Sequence, residues 1–172
     1  MATHLQDQIL ASIQGTLVEA GIVAPDCVHL EGVDELPVDA TPALKIEAGP
    51  ELVETLTLKA PRTQKRSLDI FIRIVVAQNA DYRARAGQLL VRLEQALCGT
   101  PEAQSAGGIA PEGLHLVATD PDREGNSARI VYVIRTLWRV SFICKEDAPD
   151  RRPGRPAIGC MTAFTSTSTS TP

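Results

Sequence analysis

The sequence predicts an α+β domain in which two helices pack on one face of a mostly antiparallel sheet. Three observations lead to this fold class. Two segments repeat apolar residues at helical spacing and lie far apart in the chain. Two long segments alternate apolar residues with other residues, as strands do. The strands between them are joined mainly by turns, which is the pattern of an α+β protein and not of a parallel α/β sheet.

The first helix and the strands that follow it are predicted from local patterns. An apolar stripe at helical spacing ends just before Gly21, which has the position of a C-terminal capping glycine. Short strands are expected at 27–31 and 43–48. Residues 49–50 (Gly-Pro) are expected to break the chain before a strand-like stretch at 51–60. The stripe of the helix consists of Leu5, Ile9, Ile13, Thr16, Leu17 and Ala20.

The clearest strand leads directly into the second helix. Residues 67–78 alternate, so that one face of the strand is wholly aliphatic. Residues 79–98 then repeat apolar side chains at helical spacing, and Gly99 and Pro101 are expected to end that helix. The aliphatic face of the strand consists of Leu68, Ile70, Ile72, Ile74 and Val76, and the apolar stripe of the helix of Tyr82, Ala86, Leu89, Leu90, Leu93 and Leu97.

The last part of the domain is predicted to contain a loop, a short strand, a turn and a very long strand. Composition predicts the loop at 100–113, the strand at 114–120 and a hairpin turn at 121–126. Residues 129–144 contain no glycine, proline, asparagine or aspartate, and they exceed the usual strand length of about five or six residues. The core face of this strand is predicted to consist of Ile130, Tyr132, Ile134, Trp138, Val140 and Phe142.

The other face of the long strand carries arginines separated by aliphatic residues. Protein interfaces are enriched in arginine and poor in the other charged residues, and their centres are apolar. We therefore predict a subunit interface there, with Arg73 of the other long strand on the same face. The alternative is a solvated sheet face whose arginines pair with acidic groups. The candidate interface residues are Arg73, Arg129, Val131, Val133, Arg135, Leu137 and Arg139.

Motifs and composition argue against an enzyme. The sequence contains no dinucleotide-binding glycine motif, phosphate-binding loop, zinc-protease motif or serine-hydrolase elbow. The four cysteines lie far apart without a CxxC pair, so we expect thiols, no zinc site and no cofactor. The net charge of −4 argues against a general phosphate-binding surface. The apolar runs are shorter than the ~20 residues that a membrane-spanning helix needs.

The composition changes after Lys145, so we divide the chain into a domain, 1–145, and an extended C-terminal arm, 146–172. Three prolines exclude regular structure from the first part of the arm, and its last part alternates threonine with serine, which suits an extended strand. Such a strand can pair with the edge of another chain, and we expect the arm to dock on a neighbouring chain. An arm folded back on its own domain is the alternative. The candidate docking residues are Arg151, Arg152, Arg155, Ile158, Met161 and Phe164.

One short motif in the arm offers a function of another class. Gly154, Arg155 and Pro156 resemble the core of an AT-hook, a segment that lies in the minor groove of A·T-rich DNA. The arginine that precedes the glycine in an AT-hook is replaced here by Pro153, and the chain is acidic. We favour a basic linker that pairs with acidic groups of a partner, with a small DNA-binding module as the alternative.

The order of elements resembles that of the tail terminator (tail completion) proteins of long-tailed bacteriophages, lambda-type in particular. Residues 67–97 look like the strand–helix unit of that family, and residues 127–142 (SARIVYVIRTLWRVSF) look like its final long strand. The resemblance covers roughly Leu5 to Lys145 and is one of pattern and order, without an invariant motif. The arm has no counterpart in it.

The resemblance implies a structural virion protein and not an enzyme. It implies a homo-oligomeric ring, expected to be a hexamer, which caps the tail tube, ends its polymerisation and joins it to the head connector. The implied partners are other copies of the chain, the tail tube protein and the head connector or stopper protein. DNA would only pass through the channel, and no membrane is involved. The implied location is the tail–neck junction of a virion assembled in the host cytoplasm. Another head–tail adaptor or neck protein is the alternative within this class.

Overall fold

The computed structural model contains a five-stranded, mostly antiparallel sheet with helices packed against it, which confirms the predicted α+β fold. It describes residues 5–30, 41–58, 62–77, 80–110, 112–126 and 129–145, without the side chains of 122–126, 129–130 and 145. The predicted arm, 146–172, lies outside the described residues, and so do its candidate docking residues Arg151, Arg152, Arg155, Ile158, Met161 and Phe164.

The elements follow one another as the sequence patterns predict, with differences in length. The helices are α1 (Leu5–Glu19), α2 (Tyr82–Cys98) and the short α3 (Pro101–Gln104), with a 3₁₀ turn at Pro25–Cys27. The strands are β1 (Val28–Leu30), β2 (Ala43–Thr55), β3 (Thr63–Ala77), β4 (Leu114–Asn126) and β5 (Arg129–Lys145). Their spatial order is β1-β2-β3-β5-β4. Strand β1 runs parallel to β2, and the other neighbours are antiparallel.

Strands β3 and β5 pair along their whole shared length, and this pairing forms the centre of the sheet. The register runs without interruption from Thr63 opposite Lys145 to Ala77 opposite Val131. Residues that face each other across two antiparallel strands point to the same side of the sheet. The aliphatic face predicted for β3 therefore lies on the same side as Ile134, Trp138, Val140 and Phe142, and all of these side chains are buried.

The two long helices cover this aliphatic side and build one core with it. Their buried residues are Ile9, Leu10, Ile13 and Leu17 in α1 and Ala86, Leu89, Leu93 and Leu97 in α2. Gly21 ends α1 with a positive φ of 59°, and its amide donates to the carbonyl of Val18 at 3.0 Å, which confirms the predicted cap. The Arg92 guanidinium of α2 donates to the carbonyls of Gly21 at 2.8 Å and Ile22 at 3.3 Å. It thereby joins the end of α1 to α2.

Trp138 lies at the centre of the core and is held by a short chain of hydrogen bonds. Its side chain is fully buried, and its indole Nε1 donates to Thr136 Oγ1 at 2.8 Å. The Thr136 hydroxyl donates in turn to the carbonyl of Ile72 at 2.9 Å. A buried hydroxyl or indole N–H without a partner would be costly, so this chain of bonds satisfies both groups. Sequence analysis left Thr136 out of the core because its side chain is polar.

The hairpin turn predicted at 121–126 is wrong, because β4 continues through these residues to Asn126. Pro121 lies within the strand, opposite Ile134. Within the described part of the chain β4 is the outermost strand, and a proline is tolerated on an outer strand because its missing N–H need not bond to a neighbour. The turn residues of this stretch therefore misled the sequence prediction.

The break predicted at 49–50 is also wrong, since β2 passes through Gly49 and Pro50. The register of β2 against β3 shifts between Ala48 and Glu51, so a β-bulge accommodates these residues. Glycine is needed here because a Cβ on Gly49 would lie 2.7 Å from the Phe71 ring. The strand continues beyond the bulge to Thr55, which makes β2 and β3 a long hairpin.

Two smaller expectations also require correction. The predicted loop at 100–113 contains α3, whose first turn is capped by Thr100 Oγ1 accepting from the Ala103 amide at 3.1 Å. Cys27 and Cys98 are free thiols as expected, whereas Cys144 is disulfide-bonded. The expectation of thiols throughout is therefore wrong at Cys144.

Trp138→Ala should lower the free energy of unfolding by about 3–5 kcal/mol, because it leaves a large cavity in a packed core and removes the partner of Thr136. Urea denaturation followed by far-UV circular dichroism measures the change. Val117→Ala is the control, since that side chain is 44% exposed and should cost under about 1 kcal/mol. A loss under about 1 kcal/mol for Trp138→Ala would contradict the central position of this residue.

Candidate subunit interface

The side of the sheet away from the helices is the candidate interface, and we call it the open face. It is formed in β3 by Asp69, Phe71, Arg73 and Val75 and in β5 by Val133, Arg135, Leu137 and Arg139, which alternate with the core residues. In the described part of the chain all the helices belong to the other side of the sheet. The open face is therefore left uncovered by the described elements.

The cross-strand register arranges the open face in rows of different character. Lys45, Arg73, Arg135 and Asp120 follow one another across β2, β3, β5 and β4. The next row contains Glu47, Phe71, Leu137 and Ala118. A third row contains Asp69, Arg139 and His115. A band of apolar side chains with an acid at one end thus separates a mainly basic row from a row that pairs an acid with a base.

Arg139 and Asp69 form the best-defined ion pair of the open face. Arg139 Nε donates to Asp69 Oδ1 at 2.7 Å and its Nη2 donates to Oδ2 at 3.0 Å, so the pair is bidentate. The hydrogen bonds to the Asp69 carboxylate, followed by its charge, raise the pKa of Arg139 above its ordinary value. Arg139 is therefore permanently charged, and the pair fixes its side chain over the sheet.

Glu47 joins two basic side chains of the neighbouring row. Its Oε1 lies 2.8 Å from Lys45 Nζ and its Oε2 lies 2.9 Å from Arg73 Nη2. These three side chains are 12–33% exposed, which places them flat against the sheet. Much of the positive charge predicted for this face is therefore balanced within the chain, as the alternative of a solvated face expects.

The predicted interface residues are brought onto one face, but they do not contribute equally. Arg73, Val131, Arg135, Leu137 and Arg139 are half-buried, and each keeps some surface that a partner could contact. Val133 is only 1% exposed, so it has almost no area to offer. The side chain of Arg129 lies outside those described. The interface itself stays a prediction.

Sequence analysis missed Lys45, Glu47 and the partnership of Asp69 with Arg139. The alternation of β3 already placed Asp69 on the face of Arg73. The signal that was lacking is the register between strands, which decides which acid meets which arginine. Lys45 and Glu47 could have been placed by the alternation of β2, because Leu44 and Ile46 between them are fully buried.

Neither a metal centre nor a membrane span is found among the described residues. These contain no cluster of three or more histidine, cysteine, aspartate or glutamate side chains that could hold a metal ion. None of the helices described is both long and apolar enough to cross a bilayer.

Comparison with known proteins finds weak structural similarity and no match by sequence. No protein-family model and no curated protein sequence matches the chain. Among solved structures, the chain is similar to a chain of the "Virion of native gene transfer agent (GTA) particle", with 18% identity and a TM-score of 0.46. The matched region covers 80% of this chain and 93% of the other.

Replacing Asp69 and Arg139 by alanine, singly and together, should shift Tm non-additively, because the two side chains form a bidentate pair. Thermal unfolding of the four proteins measures the shifts. The control is the same cycle on Lys65 and Glu112, whose side chains are 37% and 40% exposed. The two substitutions of that pair should shift Tm almost additively. Equal coupling in the two cycles would contradict a special role for Arg139 and Asp69.

Proposed function

We propose that the chain is a structural virion protein of a long-tailed phage, which forms a ring on the end of the tail tube. The ring ends polymerisation of the tube and joins the tail to the head connector. DNA passes through the channel, and the negative net charge of −4 suits a channel that must not grip phosphates. The neighbour that contacts the open face is another copy of the same chain.

The observation that carries the proposal is the mixed composition of a sheet face on which none of the described helices packs. A row containing Phe71 and Leu137 lies between charged rows that are already ordered by ion pairs. Side chains fixed in this way lose little conformational freedom when a partner docks, which lowers the cost of association. Arginine next to aromatic and aliphatic groups is also the composition of interface centres.

The order and lengths of the elements support the same proposal. Strand β3 is followed after a short connection by the amphipathic helix α2, and β5 is a long final strand with a buried tryptophan near its middle. These are the features on which the resemblance to tail terminators rests. A structural ring needs extended surfaces and no catalytic group.

Two other functions are distinguishable from this one. Another head–tail adaptor or neck protein would also assemble in a virion, but it would not stop growth of the tail tube. A DNA-binding module would use Arg151, Arg152 and Arg155 and would bind A·T-rich duplex with a strong dependence on salt. The length of the tail tube in particles that lack the chain distinguishes a tail terminator from another adaptor or neck protein. A duplex-binding assay distinguishes it from a DNA-binding module.

We also propose that the arm, 146–172, docks on a neighbouring copy or on an adjacent ring. Its last twelve residues, 161–172, can alone reach roughly 40 Å when extended. The described part of β5 ends at Lys145, opposite Thr63 at the loop end of the β2–β3 hairpin. An arm that starts at this end of the sheet is well placed to meet a neighbour.

Arg135→Glu and Arg139→Glu should leave the chain folded but weaken ring closure, because each places a negative charge on a face that a neighbour covers. Circular dichroism checks folding, and negative-stain microscopy of tails assembled with each variant checks ring formation and tube length. Glu19→Arg, an exposed charge reversal on α1, is the control and should assemble normally.

The double variant Asp69→Arg/Arg139→Glu restores the ion pair with its two charges exchanged. It shows whether an assembly defect of Arg139→Glu comes from the broken ion pair within the chain or from the lost contact with a neighbour. If both arginine variants assemble rings as well as Glu19→Arg does, the open face is solvated and does not contact a neighbour. A chain that is monomeric within the assembled particle would refute the ring itself.

Truncation after Lys145 should leave the domain folded while tail completion or head joining fails, because the core residues that the structure describes all lie between Ile9 and Phe142. Thermal unfolding and counts of joined particles measure the two effects. A chain shortened only to Thr167 is the control, since it keeps the apolar residues Ile158, Met161 and Phe164. Normal completion and joining by the Lys145 truncation would show that the arm is dispensable.

A further inference from the structure

Most of the exposed large hydrophobic side chains lie at one end of the sheet, where the β2–β3 hairpin extends past the helices. We call this end the hairpin knob, and it consists of Leu52, Val53, Leu56, Leu58 and Ile143. Their exposed fractions are 62%, 53%, 47%, 88% and 53%. Val53 lies opposite Arg66 on the helix side of the sheet, and it is exposed although Arg66 itself is buried. Apolar surface concentrated in this way marks an interaction site.

A second apolar surface lies on the outer side of α2. A shallow cleft of about 450 Å³, which we call the α2 cleft, is lined by Gly87, Gln88, Val91 and Arg92. Val91 is another exposed large hydrophobic residue, at 52%. Gly87 lies inside the helix, where glycine is less favourable than alanine, and no atom lies within 4 Å of the position of an added Cβ. The space beside Gly87 is therefore open in the described part of the chain.

The two surfaces carry opposite charges beside their apolar residues. Glu54 is exposed in the hairpin beside the knob, and Arg85 is exposed in α2 one turn before Gln88, which lines the α2 cleft. Within the described residues neither side chain forms an ion pair. The knob thus has beside its apolar residues an acid, and the α2 cleft a base, that forms no ion pair with the described residues.

We propose that the hairpin knob of one copy of this chain docks in the α2 cleft of the next copy. The proposal rests on the ring proposed above and names the contact that closes it. Leu52 and Ile143 lie on the open face itself, because they stand opposite Ser67 and Lys65, so the knob continues the face for which a neighbour contact is proposed. Knob and cleft are different surfaces, and contacts between different surfaces are heterologous, which is the type that generates rings.

Two variants of the full chain test the contact. Leu56→Asp/Leu58→Asp changes only exposed knob residues, and Gly87→Leu fills the cleft with a good helix former. Analytical ultracentrifugation over a range of concentrations measures self-association. We expect the wild-type chain to self-associate and each variant to do so at least about tenfold more weakly, because each has lost one half of the contact.

Mixing the two variants gives the decisive result. Each retains one intact surface, so the mixture should form a 1:1 dimer that grows no further, which only a heterologous contact between these surfaces predicts. Matched controls are Val117→Asp, an exposed hydrophobic residue of β4, and Gly15→Leu, an exposed glycine of α1 that also has open space around it. Both controls should self-associate like the wild-type chain.

The charged residues provide a rescue experiment. Glu54→Arg and Arg85→Glu should each weaken association, and the chain that carries both should recover it, because the ion pair is restored between copies. Absence of recovery, or association of Gly87→Leu equal to that of Gly15→Leu, would overturn the contact. A wild-type chain that stays monomeric, or a mixture that stays monomeric, would overturn it as well.

Assembled particles separate failure of this contact from failure of the proposed function. If tails capped by the knob and cleft variants still carry normal rings, the knob contact is refuted while the ring stands. If the wild-type chain forms no ring on tails, the proposed function is refuted. If truncation after Lys145 abolishes the self-association of the wild-type chain, the arm occupies the cleft and the knob does not.

Discussion

The uninterrupted pairing of β3 with β5 is the constraint on which the rest of the molecule depends. Because side chains alternate along a strand, this one register decides which residues enter the core and which form the open face. A slip by one residue would turn Arg135 and Arg139 towards the helices and Trp138 towards solvent. The bond from Thr136 Oγ1 to the carbonyl of Ile72, its direct cross-strand partner, fixes the register from inside the core. The buried core on one side of the sheet and the ion pairs on its open face are therefore consequences of the same strand pairing.

The parts of the fold that follow from periodicity could be predicted from the sequence. Helical spacing predicted α1 and α2, and alternation predicted the core faces of β3 and β5, because apolar side chains must leave water whatever their partners are. Pro121 and residues 49–50 were misread because turn residues are local signals. An outer strand tolerates a proline and a bulge absorbs a Gly-Pro pair, so the long hairpins overrode local preference. Thr136 was misread for the reverse reason, since its burial depends on a partner that only the tertiary structure supplies.

The candidate site was predictable in composition but not in its connections. Alternation placed the arginines on one face, whereas the pairing of Arg139 with Asp69 and of Arg73 with Glu47 depends on the register across three strands. The hairpin knob was missed for another physical reason. The alternation of Leu52, Leu56 and Leu58 is that of a half-buried strand, but burial requires something to pack against. The described helices do not cover these residues. No local sequence pattern predicts how far a layer of helices extends over a sheet.

The exposed knob needs protection in a free chain, because an apolar hairpin end promotes aggregation. Several features of the hairpin act against unspecific pairing. The bulge at Gly49 and Pro50 interrupts the outer strand, and Glu51, Glu54 and Lys65 place charges among the apolar residues. The same charges restrict which surface the knob can meet, since a partner must present a cation to Glu54 beside an apolar cleft. The outer side of α2 offers Arg85 one turn before Gln88, which lines the α2 cleft together with Val91. In the contact proposed between copies, the charges that oppose unspecific pairing of the knob would therefore also select the surface on which it docks.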